Sequence, residues 1–251
     1  MQITIIGTGK MAEAIIGGLE SYHDIRLLGR DEQQLQNLQA QYPKIDAVDV
    51  LEVGCQIEGE NIILCVKPYA LESVGLLVSG EAASLLSVLA GTSLATLKAH
   101  IPAKSYVRTM PNLAAKHQKS MTTLYGDVDF KEEALEICQG FGDVLWLDKE
   151  HEIDIATAVA GSGPAFLALV AEALSDGAVK EGLKREDAKV LVAGLFDGFS
   201  SLLKQGHPAI IKDEVMSPAG TTAAGYAALE EACVRDGFIK AVQAAHEKAK
   251  G

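Results

Sequence analysis

The first 148 residues alternate short apolar runs with helical stretches, and this alternation limits the possible folds more than any other feature of the chain. Residues 2–6 form a β-branched run typical of a strand buried on both faces, and glycines separate it from a helical pattern over 10–19. The sequence predicts further strands at 25–28, 61–66, 85–90, 105–109, 121–125 and 143–147, and further helices at 31–41 and 130–139.

Strands that alternate with helices predict an α/β domain, residues 1–148, with a Rossmann-type doubly wound sheet. Such sheets bind ligands outside the carboxyl ends of their strands. The predicted strands end at positions that we expect to line one cleft: Gly7 and Gly9, Val66, Lys67 and Pro68, Ala90 and Gly91, and Met110, Pro111 and Asn112.

Residues 149–251 lack strand patterns and predict an all-helical second domain. The run 165–171 is apolar on nearly all sides, so a helix there must be buried all round. A hundred-residue helical domain has little interior for it, and we therefore expect a second copy to cover it, in a homodimer at least. Burial against the first domain is the alternative. The run is too short to span a membrane.

Charge and composition limit the kinds of partner and ligand that the protein is expected to bind. The formal net charge of −12 argues against nucleic acid as the main partner. The start of the chain has neither a basic region nor a long apolar run, which predicts a cytoplasmic protein without a signal peptide or membrane anchor. Four scattered cysteines and six scattered histidines show no metal-ligand spacing, so we expect buried free thiols and no bound metal.

The sequence Gly7-Thr8-Gly9-Lys10-Met11-Ala12 has the GxGxxA pattern between a strand and a helix, which indicates dinucleotide binding. The first glycine allows a tight turn, and the second lets the backbone approach a pyrophosphate. Ala12 permits close packing of helix on strand, and free N–H groups at the helix start face the phosphates. A purely structural glycine turn is the alternative.

The second predicted strand ends at Arg30, where an NAD-binding fold usually has an acidic residue. A guanidinium suits a 2′-phosphate, so the sequence favours NADPH. Asp31 is next to it and could bind the ribose instead, which leaves NADH open. Lys67 is expected to line the cleft, with a solvated position as the alternative.

Several ordered segments resemble the pyrroline-5-carboxylate reductase family along nearly the whole chain. The segments lie at 9–15, 66–68, 110–112, 160–166 and 212–225. The last contains Ser217-Pro218-Ala219-Gly220-Thr221-Thr222, where the family usually has Ser-Pro-Gly-Gly. Gln205 stands at a commonly acidic position, so no acid role is assigned to it.

The resemblance implies the reduction of 1-pyrroline-5-carboxylate to proline. The substrate's carboxylate would bind Ser217, Gly220, Thr221 and Thr222 at the start of a predicted helix, where unpaired N–H groups favour an anion. Thr222 is the candidate catalytic residue, which would orient the ring and relay a proton to its nitrogen. Simple helix capping is the alternative for these hydroxyls. Another imine or 3-hydroxyacid reductase, or a non-catalytic dinucleotide-binding protein, are the competing functions.

Overall fold

The computed structural model describes residues 1–250 and divides the chain into two compact units. The first unit comprises Met1–Ser162 with the residues from Ala245 onward, and the second comprises Gly163–Ala244. The α/β fold class followed by a helical region is confirmed. The expected boundary between residues 148 and 149 stays a prediction.

An eight-stranded sheet organises the first unit, in the order β10-β9-β8-β7-β5-β1-β2-β3. Its strands are β1 Gln2–Ile6, β2 Asp24–Gly29, β3 Ile45–Val50, β5 Asn61–Leu64, β7 Ala82–Ser87, β8 Ala103–Met110, β9 Ser120–Gly126 and β10 Gly142–Trp146. A separate two-stranded sheet pairs β4 Cys55–Gln56 with β6 Val78–Ser79. Neighbouring strands of the large sheet are parallel except β8 and β9, which are antiparallel.

Helices cover both faces of this sheet because its central strands are apolar on both sides. The helices are α1 Lys10–Leu19, α2 Glu32–Gln41, α3 Leu71–Gly75, α4 Leu94–His100, α5 Lys131–Gln139 and α6 Glu152–Ala156. Within β1, Ile3 and Ile5 pack in one core cluster with α1, α2 and α5, whereas Ile6 packs in the other with α3 and α4. Each such buried side chain contributes about 1.5–3 kcal/mol to folding.

The cysteine prediction is partly wrong. All four are free thiols in the described chain, but Cys55 is half-buried and Cys233 is exposed, and only Cys65 and Cys138 are buried. Cys55 belongs to a two-residue strand of the small sheet, which gives it little cover. Cys233 lies in the turn between the last two helices, with a φ of 55°.

The second unit is helical, with α7 Gly163–Lys180, α8 Arg185–Leu203, α9 Pro208–Val215, α10 Thr221–Glu231 and α11 Val234–Ala249, the last of which runs past its edge. Many of its large apolar side chains are exposed. Leu169 in the run 165–171 is 65% exposed, so this single chain does not bury that run on all sides. The helical stretch Glu152–Lys180 is also long and apolar enough, by length and composition, to cross a membrane.

Candidate functional site

The turn after β1 requires a glycine at position 7. Gly7 has a φ of +123°, and its N–H donates to the carbonyl oxygen of Leu28 at 2.8 Å. A Cβ on Gly7 would lie 2.6 Å from the backbone oxygen of Cys65, the residue that follows the neighbouring strand β5. Both the conformation and the close approach therefore exclude any side chain here.

Gly9 has a different reason to be small. It is the N-cap of α1 with ordinary extended angles, φ −78° and ψ 179°. Apart from Gly9 and its two chain neighbours, no atom of residues 1–250 lies within 4 Å of where its Cβ would be, and no side chain of that range caps the helix. The first N–H groups of α1 therefore face open space, which is the arrangement that binds a phosphate. Ala12, at the third position of the pattern, is fully buried.

A cavity of about 230 Å³ adjoins this turn and brings together six residues of the predicted cofactor site. These six are Gly7, Thr8, Gly9, Arg30, Val66 and Lys67. Cys65 also lines the cavity. Burial raises the pKa of its thiol, so Cys65 contributes an uncharged group to the cavity wall. Pro68 follows at the start of a short 3₁₀ turn, Pro68–Ala70.

Gln34 and Tyr69 are among the residues of this cavity that sequence reasoning missed. The Gln34 side chain makes two bonds to the glycine-rich turn: Thr8 Oγ1 donates to its Oε1 at 2.8 Å, and its Nε2 donates to the Thr8 carbonyl at 2.8 Å. No sequence signal links positions 8 and 34. Tyr69 is 85% exposed at the cavity wall, and its position directly after Lys67-Pro68 was the available signal.

Asp31 also lines the cavity beside the exposed Arg30. One carboxylate oxygen of Asp31 accepts the Gln34 backbone N–H at 3.0 Å, so Asp31 is the N-cap of α2. Part of the hydrogen-bonding capacity of Asp31 is thus used within the protein, whereas Arg30 directly follows β2 and is exposed.

Lys10 and Met11 lie at the start of α1 but outside the lining of this cavity. The Lys10 ammonium is exposed and pairs with Glu13 at 3.0 Å, and Met11 packs on the core. Lys116 binds the same carboxylate at 3.2 Å. The hydrogen bond from Lys10 is the largest cause of the lowered pKa of Glu13, and the bond from Lys116 adds to it.

The other predicted cofactor residues follow β7 and β8 and do not line the cavity. Ala90 and Gly91 are exposed, with Gly91 at φ +64°. Met110, Pro111 and Asn112 are buried. The Asn112 side chain has partners within the protein: its Oδ1 accepts from Ala114 N–H, and its Nδ2 donates to the Ala160 carbonyl, each at 3.0 Å.

The predicted substrate residues are in the second unit: Ser217 and Gly220 lie between α9 and α10, and Thr221 and Thr222 are the first two residues of α10. Gly220 is the N-cap of α10, and no side chain among residues 1–250 caps that helix, so its first N–H groups face outward. The alternative that these hydroxyls simply cap the helix therefore has no supporting side-chain hydrogen bond among residues 1–250. A Cβ on Gly220 would lie 2.3 Å from Ser217 Oγ, and Ala219 has a φ of +55°. Gly220 thus leaves room for the Ser217 hydroxyl at the helix start.

Thr222 lines a large groove of about 980 Å³ within the second unit. The groove is mainly apolar, and we call it the helical groove; its walls include Leu195, Phe199, Leu202, Ile211, Val215, Tyr226 and Arg235. Among residues 1–250, no group of three or more His, Cys, Asp or Glu side chains could hold a metal ion, and the expectation of a metal-free site stays a prediction.

Two family models match this chain. The model of pyrroline-5-carboxylate reductase dimerisation covers residues 150–251, and that of NADP oxidoreductase, coenzyme F420-dependent, covers residues 2–91. A pyrroline-5-carboxylate reductase of Helicobacter pylori is 34% identical over 99% of this chain and 97% of its own length. The chain belongs to the pyrroline-5-carboxylate reductase family. The resemblance inferred from the sequence is confirmed.

Other members agree over their full length. The reductase of Synechocystis is 35% identical over 100% of this chain and 97% of its own. The crystal structure of 1-pyrroline-5-carboxylate reductase from Streptococcus pyogenes has a TM-score of 0.87 at 29% identity, covering 100% of this chain and 98% of that one. The Plasmodium falciparum pyrroline carboxylate reductase, solved with NADP bound, has a TM-score of 0.82 at 25% identity, covering 100% and 98%.

Proposed function

We propose that this chain reduces 1-pyrroline-5-carboxylate to L-proline with a hydride from NADPH, the last step of proline synthesis. The family assignment identifies an oxidoreductase, and the Gly7–Gly9 turn with its adjoining cavity is the observation that carries the proposal. The turn offers free N–H groups and open space where a pyrophosphate needs them.

Arg30 would hold the 2′-phosphate of NADPH, because it is exposed at the cavity wall nearest the end of β2. The N-cap bond of Asp31 supports this preference, since a carboxylate that caps α2 is less available to the ribose of NADH. NADH stays a possible second cofactor. Lys67 and Val66 would line the same site, and Ala90, Gly91 and the segment 110–112 would lie on the nicotinamide side.

The substrate's carboxylate would bind at the start of α10, through Ser217, Gly220, Thr221 and Thr222. The uncapped N–H groups of this helix and the room beside Gly220 support the proposal. The cofactor supplies a hydride to the imine carbon, and the ring nitrogen gains a proton as the C=N bond becomes C–N. Thr222 would orient that nitrogen and relay a proton from solvent. The reaction requires this loop and the nicotinamide to meet, within one chain or across two copies.

A homodimer at least is part of the proposal. The helical groove and exposed side chains such as Leu169, Val190 and Leu191 leave a large apolar surface on the second unit. The family model that covers this region is named for dimerisation, which supports a second copy as its cover. The same copy would cover the helical stretch Glu152–Lys180, so we place the enzyme in the cytoplasm with no membrane or nucleic-acid partner.

The test is direct. Purified protein is mixed with NADPH and 1-pyrroline-5-carboxylate, and loss of the reduced-nicotinamide absorbance and appearance of proline are followed together. Parallel reactions contain NADH, an imine without a carboxylate, or a 3-hydroxyacid with the oxidised cofactor. We expect proline formation with NADPH to exceed every other reaction. NADPH binding without any turnover would indicate a non-catalytic binding protein, and faster turnover of a different substrate would replace this assignment.

A further inference from the structure

The segment 150–160 is bonded to three places in the first unit: the start of α4, strand β8 and the loop after β8. Oε1 of Glu150 accepts the backbone N–H of Leu94, the first residue of α4, at 2.7 Å, and also pairs with Nη1 of Arg108 at 3.3 Å. Nη2 of Arg108 pairs with Asp154 at 2.7 Å. Arg108 is 4% exposed on β8, so these ion pairs are shielded and hold their geometry more firmly than surface pairs do.

Asn112 makes a second connection to the same segment. Its Nδ2 donates to the carbonyl of Ala160, which belongs to a π-helical turn, Thr157–Gly161. Its Oδ1 accepts from Ala114 N–H, and its backbone N–H donates to Ser120 Oγ at 3.0 Å. π turns are rare and are often found at functional sites. With these partners and 8% exposure, the Asn112 side chain is already committed within the protein.

Both connections meet the loops on one side of the sheet's switch point. The order β7-β5-β1-β2 places the switch between β5 and β1, and Arg30 lies on the β2 side. A dinucleotide lies across this point with its two halves on opposite sides. With the adenosine half beside Arg30, the nicotinamide half would extend towards the ends of β7 and β8, near Ala90, Gly91 and residues 110–112.

We propose that Asn112 and Glu150 are positioning residues, which hold the two nicotinamide-side loops against the segment 150–160. Asn112 fixes the loop after β8 through the Ala160 carbonyl, and Glu150 fixes the start of α4, just beyond Ala90 and Gly91. The positioning role does not require either side chain to touch the cofactor. This inference rests on the proposed function only for the identity of the substrate, since cofactor binding tests it separately.

The substitution Asn112→Asp separates the two bonds of this side chain. Aspartate keeps the acceptor for Ala114 N–H, but it cannot donate to Ala160 and places a carboxylate against that carbonyl. Asn61→Asp is the matched control: Asn61 lies at the amino end of β5, and its Oδ1 accepts from Ser84 Oγ at 2.8 Å, a bond that aspartate keeps. The chemical change is the same, and only Asn112 loses a donor bond.

The decisive measurement compares NADPH with 2′-phospho-ADP-ribose, which lacks the nicotinamide. We expect Asn112→Asp to bind the fragment within about twofold of the parent and NADPH about tenfold more weakly, with kcat about ten- to a hundredfold lower, as for a displaced reacting group. The isotope effect with deuterated NADPH should rise, because hydride transfer becomes slower than product release. Asn61→Asp should match the parent in all three.

The second pair of variants is Glu150→Gln and Glu150→Ala. Glutamine keeps an acceptor for Leu94 N–H, so we expect it to recover most of the NADPH affinity and kcat that alanine loses. This pair also tests the inference if Asn112→Asp does not fold. Equal losses for fragment and NADPH, or a lower unfolding temperature with NADPH binding and kcat unchanged, would overturn it. A parent protein that binds NADPH but makes no proline would instead refute the proposed function, and the ratio of fragment to NADPH affinity would still test the positioning roles.

Discussion

Gly7 and Gly9 belong to one turn, but replacing each by alanine should have a different effect. Gly7→Ala should lower the stability of the protein, whereas Gly9→Ala should weaken the binding of NADPH. In Gly7→Ala, the new Cβ meets the Cys65 backbone at 2.6 Å in a conformation, φ +123°, that side chains rarely adopt. The backbone strain costs about 1–3 kcal/mol, and the crowding adds about 1–3 kcal/mol. For a chain of this size, we expect the thermal midpoint to fall by roughly 5–20 °C.

Gly9→Ala should leave stability nearly unchanged and weaken the cofactor. Beyond residues 8–10 the methyl group meets no atom of residues 1–250 within 4 Å, and φ −78° suits alanine. The lower entropy of the unfolded chain and the poorer N-cap offset each other to within about 1 kcal/mol. The methyl group does occupy the space through which a pyrophosphate approaches the backbone, so NADPH affinity should fall about tenfold or more, which is about 1.4 kcal/mol.

Thermal unfolding without cofactor and calorimetric titration with NADPH measure both effects on the same samples. Each variant is the control for the other, because the substitution is identical and the positions are two residues apart. If Gly9→Ala binds NADPH as tightly as the parent does, the pyrophosphate of the cofactor does not lie close to the backbone of Gly9. An unchanged thermal midpoint in Gly7→Ala would show that the turn can relax away from Cys65.

The remaining predictions concern the substrate loop, the cofactor preference and the oligomer. Ala219→Gly should raise the unfolding free energy by about 0.5–1 kcal/mol because φ +55° suits glycine. The control Ala223→Gly, within α10, should lower it by about 1 kcal/mol. A lower unfolding free energy in Ala219→Gly would contradict this prediction. Thr222→Ala should lower turnover about ten- to ten-thousandfold with NADPH affinity kept, and near-normal turnover rejects its role. Arg30→Ala should lower the preference for NADPH over NADH in kcat/KM about tenfold; an unchanged ratio refutes the 2′-phosphate contact. Leu191→Asp should dissociate the proposed homodimer in sedimentation, since Leu191 is 63% exposed on the apolar surface; a stable, active parent monomer at micromolar concentration would refute the proposed dimer.

Burial on both faces leaves a local pattern that predicts where the central strands occur, but not always their bounds: the strand predicted at 85–90 is Ala82–Ser87, and the one predicted at 61–66 is Asn61–Leu64. Gln2–Ile6 and Lys10–Leu19 have the predicted bounds. Strand β3, Ile45–Val50, was missed because it is an edge strand with acidic residues at 46 and 49 and little burial. The antiparallel pairing of β8 with β9 was also missed, since a run of apolar residues does not encode the direction of its neighbour.

The candidate site also has features that the sequence predicts and features that it does not. The glycine pattern predicts the turn at 7–9 because its geometry depends on a few adjacent residues. Gln34 bonds to Thr8 from a helix 26 positions later in the chain, and that contact exists only after the sheet has formed. Likewise, Asn112 was predicted as a cofactor contact from its place after a strand, and that role stays untested, but the direction of its amide depends on the π-helical turn at Thr157–Gly161.

The loop before α10 shows why the conformational preferences of single residues are a weak guide to the proposed substrate site. Ala219 has a left-handed conformation that costs an alanine about 1–2 kcal/mol, so the surrounding loop must impose it. Residue 219 has to turn the chain so that Gly220 begins the helix with its N–H groups uncapped and the Ser217 hydroxyl beside them. A carboxylate that binds there should stabilise the folded protein by an amount set by its concentration and affinity, which adds to a folding free energy that the strain lowers. Strain at 219 is thus a physical argument for a binding site at the start of α10, independent of the family to which the chain belongs.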